Sequence, residues 1–231
     1  MQDLLEKFQD FKPRKILVVG DLILDKYTKG SCTRICPEAP VPIIKVEQIN
    51  YNPGGAGNTA FNIKTLGSDV CIFGVIGDDA EGMQIKKQFS MLGIDCLGLL
   101  SVKNTRTIVK ERIVAEKQQM LRIDHNDKIN YNNESELFDL ISSNNNFDML
   151  IISDYGKGTL SPDLIKKIIS FCNEQNKICI IDPRPQHTSS YKNASFITPN
   201  FKEACEMLGI VDLHFNLVNA RDIAKKLGDE L

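Results

Sequence analysis

Pro53-Gly54-Gly55-Ala56-Gly57-Asn58 places three glycines within four positions and follows them with an amide. Glycine has no Cβ, so backbone N–H and C=O groups can approach a ligand closely. Asn58 adds a side chain that both donates and accepts hydrogen bonds. Such a turn suits a polyhydroxylated ligand. It equally suits a tight loop that only needs positive φ. Other polar residues fall where apolar runs end: Asp21, Asp25, Asp78, Asp79, Asp154, Asp182 and Asn200.

The elements that must position these residues are readable from pattern. Lys15–Gly20, Val70–Gly77, Phe147–Ser153 and Ile178–Ile181 are short apolar runs of the kind that form strands buried on both faces. Helices are predicted from Asn58 to about Leu66, from Asp78 to about Leu92, over 134–143, from Ser161 to about Gln175, over 201–208 and over 217–227. Ser161-Pro162-Asp163 is a cap, a proline at the first helical position and an acid after it. A short amphipathic helix is predicted over 4–11. Pro37, Pro40 and Pro42 exclude helix from 30–52, which reads as a flap of edge strands. Residues 105–115 alternate as a strand, and 119–124 can pair with it. Strands and helices in this alternation give an α/β fold with a mainly parallel sheet. In such sheets ligands bind beyond the carboxyl ends of the strands.

Composition narrows the class. The chain has 28 basic and 30 acidic residues, a net charge of −2, so nothing in it points to nucleic acid or to a membrane surface. Seven cysteines without a CxxC pair, and only three histidines, read as free thiols in a reducing cytosol, with Cys71 and Cys179 as core fillers. Neither a signal peptide nor a transmembrane run is visible. Gly55-x-Gly57-x-x-Ala60 matches a dinucleotide fingerprint, but it follows the Pro-rich flap rather than a buried strand. Gly156-Lys157-Gly158-Thr159 resembles the tail of a P-loop, yet Ile151 stands where the first glycine must be.

An ordered set of segments remains: Gly20-Asp21-Leu22-Ile23-Leu24-Asp25, the flap, Gly54 to Asn58, and Thr198-Pro199-Asn200-Phe201-Lys202-Glu203. This set resembles the ribokinase-like, or PfkB, family of carbohydrate kinases. Cys32-Thr33-Arg34-Ile35-Cys36-Pro37-Glu38-Ala39-Pro40-Val41-Pro42, Gln118-Gln119-Met120-Leu121-Arg122-Ile123-Asp124 and Ser153-Asp154-Tyr155-Gly156-Lys157-Gly158 are similar to stretches of its D-glycero-β-D-manno-heptose-7-phosphate kinases. The resemblance implies a three-layer α/β/α domain over residues 1–231 with β-lid segments at about 30–52 and 105–124. It implies a cytoplasmic enzyme, with a homodimer formed through the lid.

The implied reaction is phosphoryl transfer from ATP, with Mg²⁺, to the anomeric hydroxyl of heptose 7-phosphate. The 1,7-bisphosphate product leads towards ADP-heptose and the lipopolysaccharide core. Asp25, Asn58 and Asp154 are then expected to read sugar hydroxyls, with Gly54 and Gly55 offering backbone contact. Arg112 and Lys157, with Arg34 and Lys110, are candidate phosphate anchors; arginine suits bidentate contact. Asn200 and Glu203 match the motif that organises ATP phosphates and, through water, Mg²⁺. Their spacing equally suits a helix cap. The family's Gly-Ala-Gly-Asp motif, whose Asp is the catalytic base, has no match in the 231 residues. The base is therefore expected beyond Leu231, with near-background activity for this chain alone and an uncovered apolar sheet edge. The alternatives are a sugar-phosphate binder or a subunit completed in trans, and a kinase for another sugar.

Overall fold

The computed structural model describes residues 12–211 and 214–231; the helix predicted over 4–11 lies outside them. β1 (Lys15–Gly20) is the apolar run the sequence shows, and it sits in the middle of a six-stranded parallel sheet. Its neighbours are β4 (Asp69–Gly77) and β8 (Met149–Ser153), with β5 (Asp95–Val102) at one edge. At the other end β9 (Ile178–Asp182) precedes the two-residue edge strand β10 (Phe196–Ile197).

Both faces of this sheet are covered. Leu17 and Val19 of β1 and Phe73 of β4 face a core that includes Leu137 and Ile141 of α3 (Glu134–Ser142) and Ile165 and Ile168 of α4 (Pro162–Glu174). α5 (Phe201–Met207) and α6 (Leu217–Glu230) add Met207, Ile223 and Leu227 to the same side. Ile16, Val18 and Ile72 face the opposite core with Ala60 of α1 (Ala56–Thr65) and Phe89 of α2 (Ala80–Met91). The alternation along β1 and β4 thus builds a three-layer α/β/α arrangement. Cys71 and Cys179 are buried free thiols within it.

A second sheet, in the order β3-β2-β6-β7, forms the lid. Its strands are β2 (Leu22–Ile35), β3 (Pro42–Gly55), β6 (Ile108–Ala115) and β7 (Gln118–His125). Its first strand begins at Leu22, eight positions before the stretch that the sequence reads as a flap of edge strands. Leu22, Ile23 and Leu24 are almost wholly buried, like the apolar residues of β1. The chain turns at Asp21 and enters the lid at once. Two elements escaped pattern reading. β5 is an edge strand interrupted by Gly98, where a Cβ would sit 2.3 Å from the Phe73 ring. The 3₁₀ helix Pro185–Ser190 is too short to show a period.

Side-chain caps and ties fix the joints. Asp79 accepts from Gly82 N at the start of α2, and also from Thr107 N and Oγ1 where β6 begins. On one face of the lid Glu111 accepts from Thr28 Oγ1 (2.6 Å) and pairs with Lys26 Nζ and His125 Nε2, both at 3.1 Å. Burial raises the Glu111 carboxyl, but the bonds from Thr28, His125 and Lys26 outweigh it and hold the group below the usual range. A folded carboxyl held below its unfolded value stabilises above that unfolded value, and the contribution is lost as pH falls through the folded value.

Acidification from the ordinary glutamate range downward is therefore expected to loosen the β2–β6–β7 pairing. Glu111→Gln should flatten that part of the acid-unfolding profile, followed by amide exchange in β6 and β7. Ser161 accepts from Leu164 N at the start of α4. Ser161→Ala should cost about 1 kcal/mol in a urea titration, and no change would mean that the cap does not matter here.

Candidate active site

Asp21 is the corner residue between the two sheets, and its side chain is fully buried. Its Oδ2 accepts from Tyr155 N (2.9 Å) and Lys157 N (3.0 Å), and its Oδ1 accepts from Thr159 N (3.0 Å). The loop after β8 is thus wrapped around one carboxylate. Burial pushes this carboxyl up, while the three backbone bonds pull it down. The Asp21 carbonyl accepts from Ala56 N at the start of α1. Gly55, with φ 57°, lets this happen: a Cβ there would stand 2.3 Å from the Asp21 carbonyl oxygen. Sequence reading placed Asp21 among strand-end polar residues without seeing this role. Its partners lie more than 130 positions away.

The lid brings several expected residues together. In register, Asp25 on β2 pairs with Lys110 on β6, which pairs with Asp124 on β7. Two positions on, Tyr27, Arg112 and Arg122 form the matching row. Arg112 forms a short ion pair with Asp25, and its guanidinium lies 5.2 Å from the Tyr27 ring centre. Gly54 admits the Asp25 carboxylate, which a Cβ there would meet at 2.5 Å. Arg122 is held bidentately by Asp124 at 2.7 and 2.8 Å. Burial, then the charges of Arg122 and Lys157, push the Lys110 ammonium down. Lys157 Nζ meets Asp127 at 3.5 Å. Asp25, Lys110, Arg112, Arg122 and Lys157 therefore share one electrostatic neighbourhood. Arg122 belongs to it through its register with Arg112 and its charge beside Lys110. Asn58 is exposed on the first turn of α1, close after the glycine turn that pairs with the root of β2.

Two expected site residues are placed differently. Arg34 is exposed on β2 nine positions beyond Asp25, roughly 30 Å away along a strand at ~3.3 Å per residue. It lies near the lid tip, away from the other cations. Asp154 has no exposed side-chain surface. Its Oδ1 accepts from Gly156 N, while Oδ2 meets His187 Nδ1 at 2.6 Å and Tyr191 Oη at 2.7 Å. Both of its oxygens are engaged by protein donors, which ties the loop after β8 to the 3₁₀ helix and Tyr191.

Asn200 and Glu203 form a reciprocal capping box on α5, with Asn200 Oδ1 accepting from Glu203 N and Glu203 Oε2 from Asn200 N, both at 2.9 Å. The cap leaves the Asn200 NH₂ and Glu203 Oε1 uncommitted to the helix. Burial and then Glu203 push the nearby Asp182 carboxyl up. The two carboxylates thus lie within electrostatic reach of each other at this end of the sheet. Arg184 stands beside them, 4.0 Å from Glu203 Oε1.

The description "pfkB family carbohydrate kinase" matches residues 13–230. The chain is 42% identical over 221 residues to the "Bifunctional protein HldE" of Campylobacter curvus (strain 525.92), covering 95% of this chain and 47% of that protein. It is 40% identical over 217 residues to the protein of the same name from Helicobacter pylori (strain P12), covering 92% and 47%. The chain thus spans about half the length of the curated relatives it matches. The fold is shared with Escherichia coli phosphofructokinase-2 in its tetrameric inhibited form (TM-score 0.72, 18% identity, 94% and 70% covered). It is also shared with an Arabidopsis thaliana ribokinase complexed with ribose and ATP (TM-score 0.66, 14% identity, 95% and 70% covered). With a ribokinase-like fold and a family match across almost its whole length, this chain belongs to the PfkB family of carbohydrate kinases.

Proposed function

We propose that this chain supplies the sugar side and part of the nucleotide side of an ATP-dependent kinase. Its acceptor is the anomeric hydroxyl of D-glycero-β-D-manno-heptose 7-phosphate. The product is the 1,7-bisphosphate, a precursor of ADP-heptose for the lipopolysaccharide core. The observation that carries this reading is the meeting of Asp25, Lys110, Arg112, Arg122 and Lys157 near the Gly54-Gly55 turn and Asn58. A sugar phosphate needs both halves of that set. The acid and the amide read hydroxyls, and the cations take the phosphate. Arg112 is suited to a bidentate contact while its own charge stays balanced by Asp25.

Asn200 and Glu203 are the proposed nucleotide-phosphate residues, with Glu203 holding Mg²⁺ through water. When bound, Mg²⁺ neutralises charge on the transferring phosphate. The general base is assigned to a Gly-Ala-Gly-Asp segment that these 231 residues do not contain. General-base catalysis contributes typically about 10²–10⁴ in rate. The chain alone is therefore expected to bind its sugar phosphate and to turn over at near background.

Calorimetry with heptose 7-phosphate, fructose 6-phosphate and inorganic phosphate tests this. Heptose 7-phosphate should bind best, and Arg112→Gln should weaken it by about 10-fold or more, as loss of a charge-assisted hydrogen bond does. Equal binding of the two sugar phosphates would remove the substrate assignment. No binding of either would remove the sugar-side reading.

The lid is also the proposed dimer contact. Ile35, Val41 and Val46 are 62%, 50% and 51% exposed on the β2–β3 ribbon, and β3 is an edge strand. Light scattering should give a dimer, and Ile35→Asp should shift it to monomer. A wild-type monomer at all concentrations would rule this contact out.

A further inference from the structure

Resting on the kinase reading above, we propose that Arg184 is a phosphate-binding residue, gripping the polyphosphate of the nucleotide between the loop after β8 and the start of α5. Arg184 lies two positions beyond the carboxyl end of β9, on the side of a parallel sheet where ligands bind. Its backbone is pinned. Arg184 N donates to Tyr191 Oη at 2.8 Å, and its carbonyl accepts from His187 N at 3.0 Å. The fully buried Tyr191 hydroxyl gives its own proton to Asp154 at 2.7 Å. The residue is therefore held as firmly as the core beneath it.

Its side chain is far less committed. The side chain is 40% exposed, its guanidinium carbon 5.5 Å from the Tyr155 ring centre. Its one ion pair among the described residues is with Glu203 Oε1 at 4.0 Å, the outer limit for such a contact. That leaves most of five N–H donors in a planar fork free for an oxyanion. Arg112, Arg122 and Lys157 are each held more closely, by Asp25, by Asp124 bidentately and by Asp127.

The local charge balance calls for such a cation. Asp182 ends β9 two positions before Arg184, and Glu203 lies 4.0 Å from its guanidinium, so two carboxylates flank it. A polyphosphate entering beside two carboxylates meets repulsion from both. A hydrated cation on Glu203 offsets part of it. Arg184 offsets the rest and is the one arginine within reach of both Tyr155 and Glu203 among the described residues. It thereby joins the loop that carries Lys157 to the turn that carries Asn200. A planar fork over an aromatic ring also presents its donors in a fixed direction, which a phosphate chain can use at little ordering cost.

The test is binding of inorganic tripolyphosphate, with and without Mg²⁺, beside binding of heptose 7-phosphate. Arg184→Gln should weaken tripolyphosphate by about 10-fold or more, as loss of a charge-assisted contact does. Heptose 7-phosphate affinity and the melting temperature should stay unchanged, and Arg184→Lys should recover part of the loss. Glu203→Gln, which keeps the capping geometry, should tighten tripolyphosphate in the absence of Mg²⁺ by releasing Arg184. Tripolyphosphate bound equally by wild type and Arg184→Gln, or by neither, would overturn the inference. So would a parallel loss of both ligands, which marks a merely structural role. Arg184-dependent tripolyphosphate binding without heptose 7-phosphate binding would leave this inference standing and remove the substrate assignment instead.

Discussion

Three backbone N–H groups converge on one buried carboxylate, and the rest of the site depends on it. Asp21 sits where the chain leaves the central sheet for the lid, so its position is fixed by β1 below and β2 above. Its carboxylate gathers Tyr155, Lys157 and Thr159 from the loop after β8. Its carbonyl receives the first N–H of α1. A single residue thus joins the glycine turn, the root of the lid and the loop that carries Lys157. Burying a carboxylate is costly unless donors replace its water. Here three do, and the geometry of the cleft is a consequence of that replacement.

The acids of this chain divide by exposure, and the division assigns their work. Asp21, Glu111 and Asp154 are buried, have their oxygens on protein donors and hold elements together. Asp25, Asp182 and Glu203 lie nearer the surface beside arginines. Each of these acids is set against a cation, Arg112 for Asp25 and Arg184 for the other two. Charged sites built this way stay folded without ligand, because the cations are balanced before any phosphate arrives. They also retain donors for it, since none of these ion pairs uses a whole guanidinium.

Much of the fold was legible because its signals are local. The buried strands are unbroken apolar runs, and Ser161-Pro162 opens α4 where the cap and proline say it should. The root of the second sheet carries no such local signal. Leu22, Ile23 and Leu24 are as apolar as β1, and only the turn at Asp21 separates them. At the site, residue types were readable but partners were not. Asp154 shares its type and strand-end position with a hydroxyl reader. Its partners His187 and Tyr191 stand more than 30 residues on, beyond the reach of local pattern. Arg34 shares a motif with its neighbours but not a location, because a 14-residue strand carries it away from Asp25. Asn200 and Glu203 form the cap that their spacing allowed, and the cap leaves one side-chain group on each facing outward.

The central claim is that one carboxylate organises the cleft. Hydrogen exchange on Asp21→Asn, paired with heptose 7-phosphate titration, tests it most directly. An asparagine replaces one accepting oxygen by a donor and leaves the fold's cores untouched. The account predicts lost protection at the Tyr155, Lys157 and Thr159 amides, retained protection in β4 and α4, and weaker sugar-phosphate binding. A loop that stays protected, with binding unchanged, would contradict it.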